Sequence, residues 1–219
     1  MKKTFSCLAL LVLTNFLFAQ TKIKEGVVTY KVQWTLPENM EALAANLPTE
    51  IKVYFKGDSS SLKSETNMFS STSILNINKE YERMLLSIPI FGKKVSVIFT
   101  PEDHEKMKEQ MPELSLKAGT ETKTVSGYKA LKYEVTEEKS NQVSTAWFTK
   151  DVEIAPNSLS RFYNKSFGFP VEFISFLSGI TVQAIVKEIK SGPVPKGIFT
   201  ASDDYEEITL EEFMQMSGT

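Results

Sequence analysis

Residues that could carry acid–base or metal chemistry are scarce in this sequence. His104 is the one histidine of the chain, and the run HEKMK that it opens lacks the second histidine of the His-Glu-x-x-His zinc arrangement. A histidine in the first turn of a highly charged helix is typical of the surface. We therefore expect His104 to be neither a catalytic base nor a metal ligand.

Carboxylates are the remaining candidates for catalysis. Asp203, Asp204, Glu206 and Glu207 precede the last predicted helix, and Glu137-Glu138 ends a predicted strand. A glycoside hydrolase needs two carboxylates facing each other, whereas neighbouring residues of a strand point to opposite faces. The acidic cluster also lacks the calcium-loop spacing. We expect no catalytic residues, no metal site and no cofactor, with a carboxylate-dependent hydrolase as the alternative.

Other function classes are excluded by what the sequence lacks. It contains neither a phosphate-binding glycine loop nor the Gly-x-Ser-x-Gly elbow of hydrolases. The formal net charge is −2, and the lysines are scattered among glutamates. Nucleic-acid binding requires a basic patch, so we expect no nucleic-acid partner.

Residues 1–19 have the pattern of a secretory signal peptide. Lys2 and Lys3 precede an apolar run that reaches Phe18, and small Ala19 follows. No later run approaches the roughly 18 apolar residues of a membrane-spanning helix. The one cysteine, Cys7, falls inside this segment, so the exported chain would have no disulfide. We expect a periplasmic or secreted protein of a bacterial cell envelope that does not span the membrane, with residues 20–219 as its single domain.

Alternation of apolar and polar residues dominates residues 20–219. In EGVVTYKVQW, Val28, Tyr30, Val32 and Trp34 share one face, and the same pattern recurs in IKVYFK, STSILNIN, YERMLLSI, KKVSVIFT, ALKYEV, STAWFT and ITVQAIVKEI. Turn dipeptides such as Gly57-Asp58, Asn78-Lys79, Gly92-Lys93 and Ser126-Gly127 separate these segments. The pattern predicts a mainly β fold, an antiparallel meander of about eight to ten strands.

Short helices are predicted at three places. LPENMEALAANLP carries an apolar stripe between prolines, and Thr100-Pro101-Glu102-Asp103 has the residues of a capped helix start. The third helix is predicted to begin at Thr209, with Glu212 three positions later. Because such short helices are unstable alone, we expect them to lie on the sheet.

Four stretches resemble a widespread family of exported bacterial proteins of unknown function. They are EGVVTYKVQW near the start, VSGYKALKYEV (125–135), AWFTKDV (146–152) and VKEIKSGPVPKGIFTASDDYEEIT (186–209). That family is similar in strand order to the outer-membrane lipoprotein carrier and receptor proteins, the LolA/LolB-like fold. The resemblance implies a half-barrel, that is, a curled antiparallel sheet forming an incomplete barrel, with helices as a lid over an apolar cavity. Members often have a cysteine where this chain has Ala130, so no disulfide carries over.

The segment FYNKSFGFPVEFISFL, residues 162–177, is unusually aromatic and has two interpretations. Its phenylalanines are ordinary sheet core, or Leu159, Phe162 and Tyr163 form a helical stripe leading into a loop at the mouth of a cavity. The second interpretation predicts binding of a lipid or of the acyl chain of a lipoprotein. The first predicts an interaction module with a self-filled core and an envelope protein as partner. Candidate cavity residues are Trp34, Trp147, Phe162, Tyr163, Phe167, Phe169, Phe173 and Phe176.

Overall fold

The computed structural model describes residues 21–177 and 180–217. Its strands are β1 (Thr21–Lys22), β2 (Glu25–Thr35), β3 (Glu50–Lys56), β4 (Ser59–Glu65), β5 (Ser70–Asn76), β6 (Tyr81–Ile88), β7 (Lys93–Ile98), β8 (Leu114–Val125), β9 (Tyr128–Glu137), β10 (Gln142–Thr149), β11 (Val152–Glu153), β12 (Phe169–Leu177), β13 (Ile180–Ser191) and β14 (Glu206–Ile208). The helices are α1 (Pro101–Lys108) and α2 (Leu210–Ser217), with short 3-10 helices at Glu38–Asn46, Ile77–Lys79, Pro89–Phe91 and Lys165–Phe167. The predicted signal peptide lies outside the described residues. Within the described ranges, neither helix has the length and apolarity needed to cross a membrane.

Twelve strands form one sheet in the order β14-β7-β6-β5-β4-β3-β2-β13-β12-β10-β9-β8. All neighbours are antiparallel except β14 and β7. The mainly β, antiparallel prediction is confirmed. The sheet is, however, not the predicted single meander. It consists of two meanders, one of β2–β7 and one of β8, β9, β10, β12 and β13, which join where β13 pairs with β2. Strand β11 pairs with β1 in a separate two-stranded parallel sheet. Alternation reports which face a residue occupies but not which strands pair, so the sequence could not locate this junction.

The sheet is bent without closing into a barrel. Its edge strands β14 and β8 are not paired with each other. In a flat sheet, ten strand spacings of about 4.8 Å would put β7 and β8 about 48 Å apart. The connection from Ile98 to Leu114 includes α1 and reaches at most about 40 Å. The two ends of the sheet must therefore curve toward each other on the side of this connection.

One face of the sheet holds the hydrophobic core. We call it the inner face, and it is marked by the cross-strand row Val28, Val53, Leu62, Ser73 and Met84. Alternate residues of β2 and β3 are buried on this face, as the period of two predicts. The core extends through β9, β10, β12 and β13.

The chain between β11 and β12 crosses the inner face and fills it. Leu159 is completely buried there. The hydroxyls of Ser158 and Ser73 lie 2.7 Å apart, which ties the segment to β5. Residues 158–162 form turns rather than the predicted helical stripe, and a 3-10 turn at Lys165–Phe167 follows. The interior of the sheet is therefore occupied by the protein itself.

The predicted helix starts at Thr100 and Thr209 are found in the structure. The Thr100 hydroxyl accepts the Asp103 N–H, and the Asp103 carboxylate accepts the Thr100 N–H, forming a capping box. Thr209 and Glu212 make the same reciprocal pair before α2. The first predicted helix is instead a 3-10 helix, Glu38–Asn46, between Pro37 and Pro48.

Candidate functional site

Most of the predicted cavity residues belong to the core. Tyr163, Phe169 and Phe173 are at most 4% exposed, so no ligand can reach them in this conformation. Phe167 and Trp34 pack against the same core and are partly buried. The interpretation of the aromatic segment as sheet core accounts for these residues.

Edge-to-face contacts connect the aromatic side chains of the core. The Phe173 ring lies 5.9 Å from Tyr30 and 5.5 Å from Tyr163, and Phe148 continues the series 5.6 Å from Tyr163. Ring centroids at such distances leave no room for a ligand between them. The Tyr163 hydroxyl donates to the Ile174 carbonyl at 2.7 Å, and burial raises the pKa of Tyr163 above its usual range. This phenol is consequently a structural hydrogen-bond donor, unsuited to act as a base.

Two further candidates have polar surroundings. The Trp147 ring lies under the Lys123 ammonium, 4.2 Å from its centroid, and Lys123 pairs with Glu172 at 2.6 Å. The Phe162 ring lies 5.6 Å from the Arg161 guanidinium. Both aromatic rings therefore make cation–π contacts, in which the negative face of the ring attracts the cation.

Phe176 lines a cleft at the end of the sheet where β2 ends. Strands β10 and β12 pair only at Trp147–Thr149, with a register shift, and residues 142–146 have no ladder partner on β12 in the described chain. The separation leaves a cavity of about 310 Å³. We call it the rim cleft, lined by Thr35, Leu114, Val135, Glu137, Gln142, Val143, Ser144, Ile174, Phe176, Thr181 and Gln183.

The lining of the rim cleft combines apolar side chains with uncharged polar groups. The apolar part comes from both walls, with Val135 and Leu114 on one side and Ile174 and Phe176 on the other. Two amides and three hydroxyls add hydrogen-bonding capacity. Ligand pockets typically combine an apolar surface with a few polar groups that orient the ligand. The cleft suits a molecule with an apolar chain and a polar end.

Glu137 is the one charged residue of the lining. Its carboxylate accepts hydrogen bonds from the Ser140 hydroxyl at 2.6 Å and the Ser140 N–H at 2.7 Å. The N–H groups of Glu113 and Lys139 donate to the other oxygen at 3.1 and 3.3 Å. The Ser140 hydroxyl and these N–H groups, acting against desolvation, lower the pKa of Glu137 to about 2. The carboxylate stays ionised and holds the β9–β10 turn.

The structure places three of the other candidates, His104, Asp204 and Glu207, beside charged partners. The His104 ring nitrogen lies 3.8 Å from the Glu82 carboxylate, whose other oxygen pairs with Arg161 at 2.6 Å. Glu207 pairs with Arg83 at 2.9 Å, and Asp204 pairs with Lys94. No group of three metal-binding side chains occurs among residues 21–177 and 180–217.

Two hairpin turns at the same end of the sheet expose large apolar side chains. Ile90 is 80% and Phe91 71% exposed in the β6–β7 turn, and Met68 is 52% exposed in the β4–β5 turn. Ile90 and Phe91 belong to the sequence PIFGKK, which the alternation of apolar and polar residues alone did not single out. Exposed apolar groups of this kind are typical of contact surfaces.

A second depression lies at the opposite end of the sheet and is more open to solvent. It measures about 460 Å³ and is lined by Ser59, Ile74, Asn76, Lys79, Tyr81 and Phe199. Its polar groups are partly engaged, since the Asn76 amide donates to the Ser59 hydroxyl at 2.7 Å and accepts the Lys79 N–H at 2.9 Å. The rim cleft, enclosed between two sheet walls, is the better candidate site.

Comparison with models of known protein families found no match, and comparison with curated protein sequences found none either.

Proposed function

We propose that this protein is a non-catalytic, exported protein of the bacterial cell envelope that binds a hydrophobic ligand in the rim cleft. The ligand class is a lipid, or the acyl chain of a lipoprotein. The observation that carries this proposal is the cavity of about 310 Å³ where β10 and β12 separate, with Ile174 and Phe176 forming one apolar wall. That volume lies at the lower end of the range for ligand pockets.

The proposed architecture is a LolA/LolB-like incomplete barrel with helices as a lid. The bend of the sheet, its unpaired edge strands and the position of α1 in the connection from β7 to β8 support it. Leu159 and Tyr163 fill the centre of the inner face, so the ligand would bind at the end of the sheet. The proposed site therefore differs from the one predicted from the sequence, a cavity with the aromatic segment at its mouth.

The proposal includes no catalytic activity, and the residues of the cleft support that part of it. A hydrolase of glycosidic bonds requires two carboxyl groups on either side of the scissile bond. Among the described residues that line the cleft, Glu137 is the only carboxylate. Its oxygens already accept four hydrogen bonds, so its role is to hold the turn.

A direct binding measurement tests the proposal. Purified protein lacking residues 1–19 is titrated with an uncharged fluorescent acylglycerol below its aggregation concentration, and saturable binding is expected. Phe176→Asp places a charge on the apolar wall and should weaken binding at least about tenfold. Thr181→Trp, which fills the cleft without adding charge, should weaken it as well.

Ile77→Asp provides the matched control because Ile77 is an apolar side chain, 40% exposed, at the opposite end of the sheet. This variant should bind as the unmodified protein does. Circular dichroism melting verifies that all three variants are folded. If folded Phe176→Asp and Thr181→Trp both bound the acylglycerol as tightly as the unmodified protein, the assignment of the ligand site to the rim cleft would be contradicted.

A second candidate function is an envelope interaction module with a self-filled core. The filled inner face and the exposed Ile90 and Phe91 favour it. In that case, the exposed apolar turns would bind an envelope protein as the partner. The same titration discriminates between the two, since the absence of saturable acylglycerol binding would leave the interaction module as the better account.

A further inference from the structure

Among the described residues that line the rim cleft, one carries a charge, and that charge is negative. Glu137 lines it, and no lysine or arginine is among the described residues of its wall. The nearest ammonium in sequence, that of Lys139, donates to the carbonyls of Glu109 and Met111 at 2.7 Å and lies 3.6 Å from Glu113. That cation is held by its own carbonyl and carboxylate partners outside the lining.

The charge on Glu137 is fixed by its surroundings. Three backbone N–H groups and one hydroxyl donate to its two oxygens, and such bonds favour the ionised form. The residue is 9% exposed, so water screens the field of its carboxylate less than at an open surface. A second negative charge brought into the cleft would be repelled.

We propose that the rim cleft selects ligands whose polar end is an uncharged hydrogen-bonding group, an ester, an amide or a hydroxyl, and rejects carboxylates and phosphates. This inference rests on the proposed function and names the ligand class of the same site. It predicts acylglycerols or acylated amides as ligands and excludes free fatty acids and anionic phospholipids.

The uncharged polar side chains of the cleft supply the matching hydrogen bonds. Gln142 lies on one wall and Gln183 on the other, and each amide both donates and accepts. Thr35 and Thr181, ladder partners on β2 and β13, add two hydroxyls. An ester or amide can bond to such groups without bringing a charge beside Glu137.

Competition between two ligands of equal chain length tests this selectivity. A monoacylglycerol and the corresponding fatty acid each displace the uncharged fluorescent acylglycerol at about pH 8, where the fatty acid is ionised. The monoacylglycerol is expected to compete at least about tenfold better, because only the fatty acid places a carboxylate near Glu137. Gln183→Lys, which adds a cation at an exposed position of the wall, should reduce this ratio to near unity by strengthening fatty-acid binding.

Gln215→Lys on α2 is the control, since it adds the same charge outside the cleft, and it should leave the ratio unchanged. Equal competition by the two ligands in the unmodified protein would overturn the selectivity while leaving the binding function intact. Failure of the fluorescent probe to bind at all would overturn both. If Gln183→Lys and Gln215→Lys lowered the ratio equally, the net charge of the protein and not the cleft would set the preference for the monoacylglycerol.

Discussion

Replacing Glu137 by glutamine removes a charge that holds the β9–β10 turn, on a residue that also lines the rim cleft. Each carboxylate oxygen accepts two hydrogen bonds, one oxygen from Ser140 and the other from the N–H groups of Glu113 and Lys139. A glutamine amide offers only one acceptor oxygen. Its NH₂ group would face two donors, so two of the four bonds are lost.

The loss of these two bonds sets the size of the effect. Hydrogen bonds to charged groups contribute about 1.5–3 kcal/mol each. Two of the four bonds are long, at 3.1 and 3.3 Å, which favours the lower value. Glu137→Gln should therefore lower the free energy of unfolding by about 3 kcal/mol at neutral pH. Glu138→Gln, at the exposed neighbouring position, should change it by less than about 0.5 kcal/mol.

The same carboxylate predicts a pH dependence with a definite sign. The pKa of Glu137 is about 2 in the folded protein, below its ordinary value of 4.5. A lowered folded-state pKa stabilises the fold above the unfolded value, and this stabilisation is lost as the pH falls toward the folded value. The difference in free energy of unfolding between the unmodified protein and Glu137→Gln should therefore persist down to about pH 5. It should fall to about half near pH 3.

Urea unfolding followed by tryptophan fluorescence, at several pH values between 3 and 7, measures this difference. Glu138→Gln, measured in parallel, corrects for general acid destabilisation. A loss below about 1 kcal/mol at neutral pH, or a loss that stays constant down to pH 3, would refute the assignment of the four hydrogen bonds to an ionised Glu137.

Two further predictions concern the filled inner face. Phe173→Ala should lower the free energy of unfolding by about 3–5 kcal/mol, because Phe173 is 1% exposed. The control Val143→Ala, at a position 64% exposed, should change it by less than about 0.5 kcal/mol in the same urea experiment. Arg161→Met should cost about 3–5 kcal/mol of unfolding free energy by removing the arginine partner of the partly buried Glu82 carboxylate. Adding Glu82→Leu should recover most of that loss, and a double-mutant cycle with no coupling would contradict the ion pair.

Strand positions and faces were accessible from the sequence because both follow from local pattern. Val28, Tyr30 and Val32 alternate with polar residues, and all three are buried on one face. The helix start at Thr100 was equally local, since its capping box needs only residues three positions apart. The turn at Gly57 likewise has the positive φ that a two-residue hairpin requires.

The candidate site was only partly predictable. Phe176 was identified as a cavity residue, yet Gln142, Gln183 and Glu137, which give the cleft its polarity, carry no local pattern that marks a ligand site. They come together because β10 and β12 separate after three paired positions. The register shift behind that separation depends on how two strands distant in the chain meet.

The sequence by itself determined the class of fold, the faces of its strands and the starts of its two capped helices, because these depend on residues a few positions apart. The tertiary structure alone decided that β13 returns to pair with β2, that residues 154–168 fill the inner face, and that the remaining opening lies at the end of the sheet. Alternation along β12 puts Phe173 and Phe176 on opposite faces, but it does not tell which of the two faces the rest of the chain covers. Only the packing of distant segments decides that Phe173 is buried in the core and that Phe176 lines the cleft, because burial depends on what the chain places above each face.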